Sequence, residues 1–140
     1  MTKQEADEIK SYLRQAYKLD CRLRRERRNL DKLRSAAVYR SPDFSSSGSG
    51  SPGNRAASVD RILAEEERIR DLTDRYTAIY IEIEKTIHSI RDDTLEEVLE
   101  LRYLHYKKWD EIAQEMNFTI RHITRLHGLA LQKMSLNVHI

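Results

Sequence analysis

Cysteine is nearly absent: Cys21 stands alone in 140 residues, so no disulfide can close within the chain. Proline and glycine are scarce too, at two and four residues, and all but Gly128 fall between Pro42 and Gly53. The rest of the chain therefore carries almost no strong helix breaker and reads as all-α. No stretch approaches the roughly 20 apolar residues that span a bilayer. The start MTKQEADEIK has neither an apolar h-region nor a small-residue cleavage site. The expectation is a cytoplasmic protein with no membrane partner. With 39% hydrophobic and 34% charged residues, elongated helices are favoured over a thick core, which leaves little room for an enzyme cleft.

The signatures of catalysis are missing as well. No Gly-rich phosphate loop follows a strand, no GxSxG occurs, and no paired carboxylates stand in an apolar setting. His105, His122 and His127 lack HExxH or Cys/His ligand spacing, and Cys21 is far away in sequence. The reading is of a chain that is not an enzyme and needs no metal or cofactor.

What is present is periodicity. Residues 1–40 read as a first long helix, with Ile9, Tyr12, Ala16, Leu19, Leu23, Leu30, Leu33 and Ala37 on an a/d heptad seam that Glu26 interrupts. Residues 41–57, rich in Ser, Gly and Pro, have the composition of a flexible linker. A second long helix is expected over 58–93, starting at Ser58. Its stripe runs through Ile62, Ile69, Tyr76, Ile83 and Ile90, with Leu72, Ile79 and Ile87 filling the other half. Each helix would be about 50 Å long.

Charge is uneven between them: residues 1–40 hold twelve Lys/Arg against six Asp/Glu, and residues 58–93 hold six against ten. A basic helix beside an acidic one predicts a long, coiled-coil-like antiparallel helical hairpin. Pairing across a homo-oligomer remains the alternative. Taken alone, this half of the chain has the composition of a spacer or dimerisation device. The run Arg22 to Arg28 reads first as the solvated, ion-paired face of a coiled coil, and second as a phosphate contact.

After Asp92 and Asp93 the heptad phase is lost, and residues 94–140 hold three shorter helical patterns. Asp93 or Thr94 is the expected cap of a helix carrying Leu95, Val98, Leu99, Arg102 and Tyr103, with a break around His105 to Lys107. Trp109, Ile112, Ala113 and Met116 then share one face of a two-turn helix, and Asn117-Phe118 is the turn. Thr119 caps a final helix whose Ile123, Leu126, Ala130 and Leu131 point inward. Small Ala113 lets two helices cross closely. Gly128 in mid-helix costs about 1 kcal/mol and reads as a place of close approach.

This is a three-helix, helix-turn-helix pattern, and its outward face carries Ile120, Arg121, His122, Thr124 and Arg125. Arg121 and Arg125 can each donate a bidentate pair to guanine, and Ile120 can sit against a thymine methyl. Thr124 and His122 can contact a base or a phosphate. Thr119 opens the helix whose positive end favours phosphate. Lys107, Lys108 and Lys133 flank the motif as phosphate contacts that fix orientation.

Leu101-Arg102-Tyr103, Trp109-x-Glu111-Ile112-Ala113 and Thr119-x-x-x-Ile123-x-x-Leu126-x-x-x-Ala130-Leu131 together resemble region four of the bacterial primary sigma factors, the module that reads the upstream promoter element. The resemblance covers residues 94–134 and implies that Arg121, His122, Thr124 and Arg125 face DNA. The regions with which sigma factors bind the downstream element and open DNA have no counterpart. A long helical hairpin ahead of such a module is also similar in architecture to phage and prophage late transcriptional activators of the RinA and ArpU type. The resemblances imply a DNA-binding transcriptional regulator acting with RNA polymerase. The alternatives are a small-terminase-like packaging component, in which the DNA-binding module usually precedes the long helices, and a protein that binds RNA polymerase rather than DNA.

Overall fold

In a computed structural model, residues 1–39 and 52–137 are described, and every regular element among them is helical. The elements are α1 (Lys3–Leu13), α2 (Gln15–Tyr39), α3 (Pro52–His88), α4 (Asp93–Leu99) running into a π-helical turn (Glu100–Leu104), α5 (Trp109–Met116) and α6 (Ile120–Asn137). They form two compact units: Met1–Lys18 with Tyr76–Ile140, and Leu19–Arg75.

Local chemistry accounts for most of the boundaries. Thr2 and Glu5 close a capping box at the start of α1: the Thr2 hydroxyl accepts the Glu5 N–H at 3.2 Å, and the Glu5 carboxylate accepts the Thr2 N–H at 2.9 Å. The single first helix expected over 1–40 is interrupted at Arg14 (φ −78°, ψ −6°), where the backbone tightens for one residue and resumes. Ile9, Leu13 and Ala16 are buried on both sides of that residue, so the apolar seam runs through the interruption. The second helix begins at Pro52 rather than Ser58. Proline at the first helical position has its φ already set and lacks an N–H that would be unpaired there anyway. The expected linker is helical over 52–57, and its remainder, 41–51, lies outside the described residues.

In the first unit α3 ends at His88, and Arg91 takes a left-handed conformation (φ 53°). That reversal leaves Asp92 extended, and its carboxylate accepts the Leu95 N–H at 3.1 Å, so the cap of α4 falls one residue before the expected Asp93. The core gathers Ile9 and Leu13, Ile83 and Ile87, Val98 and Leu99, Ile112, Ile123 and Met134, all at most 4% exposed. His88 joins the end of α3 to the following helix: Nδ1 lies 2.8 Å from Glu96 and Nε2 3.3 Å from Glu100. The hydrogen bond to Glu96, helped by the nearby carboxylates, raises its pKa.

His127 is the opposite case. It is buried, its Nε2 lies 2.7 Å from the Tyr103 hydroxyl, and the Trp109 ring meets it edge-on at 4.7 Å. Burial above all, with Lys10, Arg102 and Arg14 adding repulsion, pushes its pKa down to about 4. With the ring neutral, the tautomer sets which of the two, Nε2 or the tyrosine hydroxyl, donates in this bond. Between about pH 6.5 and 4 the unfolded chain binds a proton that the folded one refuses, so stability falls as pH falls, by up to roughly 3 kcal/mol. His88 works the other way, since its stabilisation is present in acid and lost as pH rises through its raised pKa, but it is more than half exposed and contributes less. Urea titrations across this range should show the acid loss. His127→Phe should flatten it; an unchanged acid limb would exclude His127 as its source.

In the second unit the seam holds Leu23 and Leu30 of α2 and Leu72 of α3, with two carboxylic acids, Glu26 (9% exposed) and Glu65 (6%), buried among them. Arg68 Nη1 lies 3.1 Å from Glu65 and 4.0 Å from Glu26, and Arg34 pairs with Glu66 at 2.8 Å. The Glu65 and Glu26 carboxyls are hydrogen-bonded to each other, and Glu65 Oε1 is buried with no other partner among the described residues. Glu65 is raised by that bond and by burial; Glu26 is lowered chiefly by the bond it accepts. Glu65 thus withdraws stability as pH rises from its unfolded pKa through its folded one, whereas Glu26 adds stability above its own unfolded pKa. Glu65→Gln keeps a donor for Glu26 without the proton. It is expected to melt higher than the native chain at neutral pH and to lose the gain on mild acidification. Equal pH dependence in both proteins would rule out a proton shared between the two carboxyls.

Candidate nucleic-acid interface

The surface predicted to face DNA is built by α5, the turn after it and the first two turns of α6. Lys108 precedes α5 in an extended conformation, and the Glu111 carboxylate accepts its backbone N–H at 3.2 Å. Ile112 and Ala113 are buried, while Trp109 and Met116 are half-buried beside the core. Arg102 fixes the approach to this helix. Its guanidinium stacks over Trp109, 4.4 Å from the ring centre, and donates to the Lys107 carbonyl at 3.0 Å. In the sequence Arg102 stands in a helix and in the Leu101-Arg102-Tyr103 motif; its seven-residue spacing to Trp109 carries no recognisable signal of this stacking.

The break before α5 falls where expected but has an unexpected form. The π-helical turn closes with the His105 N–H on the Glu100 carbonyl at 2.9 Å, and Tyr106 is left-handed (φ 59°). The Tyr106 hydroxyl lies 2.8 Å from that of Tyr76, and its ring lies 5.3 Å from Tyr17. This aromatic cluster, absent from the sequence reading, seats the loop ahead of α5.

Asn117 ends α5 in the left-handed region (φ 58°), which asparagine tolerates better than most residues, and the Phe118 N–H returns to the Ala113 carbonyl at 2.9 Å. Thr119 then caps α6 as expected, its hydroxyl accepting the His122 N–H at 3.1 Å. Ile123, Leu126, Ala130 and Leu131 are buried, again as expected. The opposite side of the first two turns presents Ile120 (52% exposed), Arg121, Thr124 and Arg125, with His122 half-buried. A shallow open depression is lined by Thr119, Arg121, His122, Thr124 and Arg125.

These groups are not equally available. Neither Arg121 nor Arg125 has a carboxylate partner among the described residues. The His122 ring is held edge-on by Phe118 at 4.7 Å. Thr124 donates its hydroxyl proton to the Ile120 carbonyl at 2.9 Å, leaving its oxygen as an acceptor and its methyl as an apolar contact. Of the flanking lysines, Lys107 is ion-paired with Glu115, and Lys133 lies 3.8 Å from Asp92. Lys108 is exposed with no such partner among the described residues.

Gly128 departs from its expected role: a Cβ built there would meet nothing within 4 Å, so no close approach accounts for it. Among the described residues no helix is long and apolar enough to cross a membrane. No protein-family model, curated protein or solved structure matches the chain.

Proposed function

We propose that residues 94–137 act as a helix-turn-helix that docks α6 in the major groove of DNA, and that the chain is a sequence-specific transcriptional regulator. Preceding residues form a helical hairpin that sets oligomeric state or contacts RNA polymerase. The observation that carries this reading is the pair Arg121 and Arg125. Both are exposed on the first two turns of a capped helix, free of carboxylate partners among the described residues, and backed by a packed apolar face. Two guanidiniums about one helical turn apart on a packed helix suit bidentate recognition of guanines, and the helix end beneath them favours nearby phosphates. Action with RNA polymerase, and a phage or prophage setting, rest on the resemblance to sigma region four and to late activators.

The test is fluorescence anisotropy of the full chain against duplexes from its own upstream and neighbouring intergenic DNA, beside Arg121→Ala/Arg125→Ala. Preference for one fragment, lost in the double variant, supports the reading. Equal weak binding to all fragments, unchanged in the variant, overturns it in favour of polymerase binding or DNA packaging.

A further inference from the structure

We infer that Arg22, Arg25, Arg28 and Lys32 of α2 form a second nucleic-acid surface, one that follows the phosphate backbone of duplex DNA without regard to sequence. Over residues 19–39 this helix carries seven Lys/Arg against three Asp/Glu. Pairing with the acidic helix was expected to neutralise the excess, and it does so only in small part. Among the described residues Arg34 pairs with Glu66 of α3, and Arg24 binds Asp20 of its own helix at 2.7 Å. Glu26 is buried against Glu65, where its charge is already engaged.

Arg22, Arg25, Arg28 and Lys32 are all exposed, and among the described residues none has a carboxylate within 4 Å; Glu26 acts on Arg22 and Arg25 from farther away. Their spacings of three and four residues make each a helical neighbour of the next, so the row repels itself; the buried Glu26 carboxylate, drawn to Arg25 and Arg22, offsets part of that at one end of the row. On α3 the signs alternate instead: Arg61 stands four residues before Glu65, Glu66 four before Arg70, and Asp71 four before Arg75.

The four cations occupy about a third of the helix circumference, away from the seam residues Leu23 and Leu30, and extend about 15 Å along the axis. A duplex strand presents one phosphate per about 3.4 Å of its axis, so the row matches a short run of phosphates. Other occupants fit less well. Protein interfaces are anchored by aromatic or apolar side chains, and the row has none. A membrane-surface helix inserts an apolar face, whereas the apolar face of α2 is already packed in the seam.

This surface is independent of the recognition helix and is tested separately from it. The probe is a fluorescein-labelled duplex of arbitrary sequence, titrated with the full chain over a salt series, beside Arg22→Gln/Arg25→Gln/Arg28→Gln. Glutamine keeps helix propensity and relieves the self-repulsion of the row, so circular dichroism should match the native chain and melting should be no lower. Affinity should fall by the same factor on every duplex, at least about tenfold at low salt. The plot of log K against log salt should become shallower by about 2 to 3, and by about 1 for Arg25→Gln alone. An unchanged slope overturns the inference. So does intact DNA binding with lost retention on immobilised RNA polymerase, which would make the row an acidic-protein surface. If Arg121→Ala/Arg125→Ala changes nothing while the glutamine variant is weakened, the recognition helix is lost and this surface stands.

Discussion

Arg121→Ala/Arg125→Ala is expected to weaken binding to the preferred duplex by about 30-fold to 10⁴-fold, and binding to unrelated duplexes far less. Each bidentate arginine–guanine pair carries about 1–3 kcal/mol of discrimination, and the two residues stand on adjacent turns of one helix. Neither touches the core or makes an ion pair among the described residues, so thermal stability should move by no more than about 0.5 kcal/mol. That separates loss of recognition from loss of fold. An equal loss on all duplexes would recast the two residues as phosphate clamps. The individual variants should shift preference at different base positions, because side chains four residues apart reach different steps of the groove.

Ile123→Ala is expected to cost about 2–5 kcal/mol and to unfold much of the first unit near physiological temperature. Ile123 is fully buried on the inward side of α6, in the cluster that holds Leu99 and Ile112. Truncation leaves a cavity bounded by other fully buried side chains, which limits how far the site can collapse. The lower melting temperature and urea midpoint should accompany a loss of DNA binding, because the Thr119 cap and the outward arginines depend on the same helix. A midpoint unchanged within error would show that the α6 face is not part of a cooperative core.

Much of this arrangement is legible in the chain itself. The positions of α5, the turn and α6 follow from short-range signals: an apolar face at spacings of three and four, an asparagine able to take positive φ, and a threonine cap. The outward arginines follow as the complement of the inward face. The seams of the long helices are equally visible, because a heptad repeat needs no knowledge of the partner helix to be recognised. Scarcity of breakers is what makes these patterns readable over so many residues.

Other features required the tertiary structure. Glu26 looks in sequence like a defect in the seam, and only Glu65, far along the chain, turns it into half of a buried, hydrogen-bonded carboxyl pair. His127 follows buried Leu126 and precedes exposed Gly128 in sequence, and its low pKa comes from burial against Tyr103 and Trp109. The π-helical turn and left-handed Tyr106 have no local signature, since their hydroxyl and ring contacts come from residues 30 and 89 positions earlier. Which lysines are paired was likewise decided by Glu115 and Asp92, not by the lysines' own neighbourhood.

By itself, then, the sequence determined helicity, the two seams, the caps at Thr119 and near Asp92, and the inward and outward faces of α6, because these depend on contacts within a few turns of one helix. Tertiary structure alone decided in which direction the pKa values of buried ionisable groups move, where the helix before α5 widens, and which surface cations make ion pairs. Those outcomes depend on desolvation and on partners distant in sequence, which a periodic pattern does not encode.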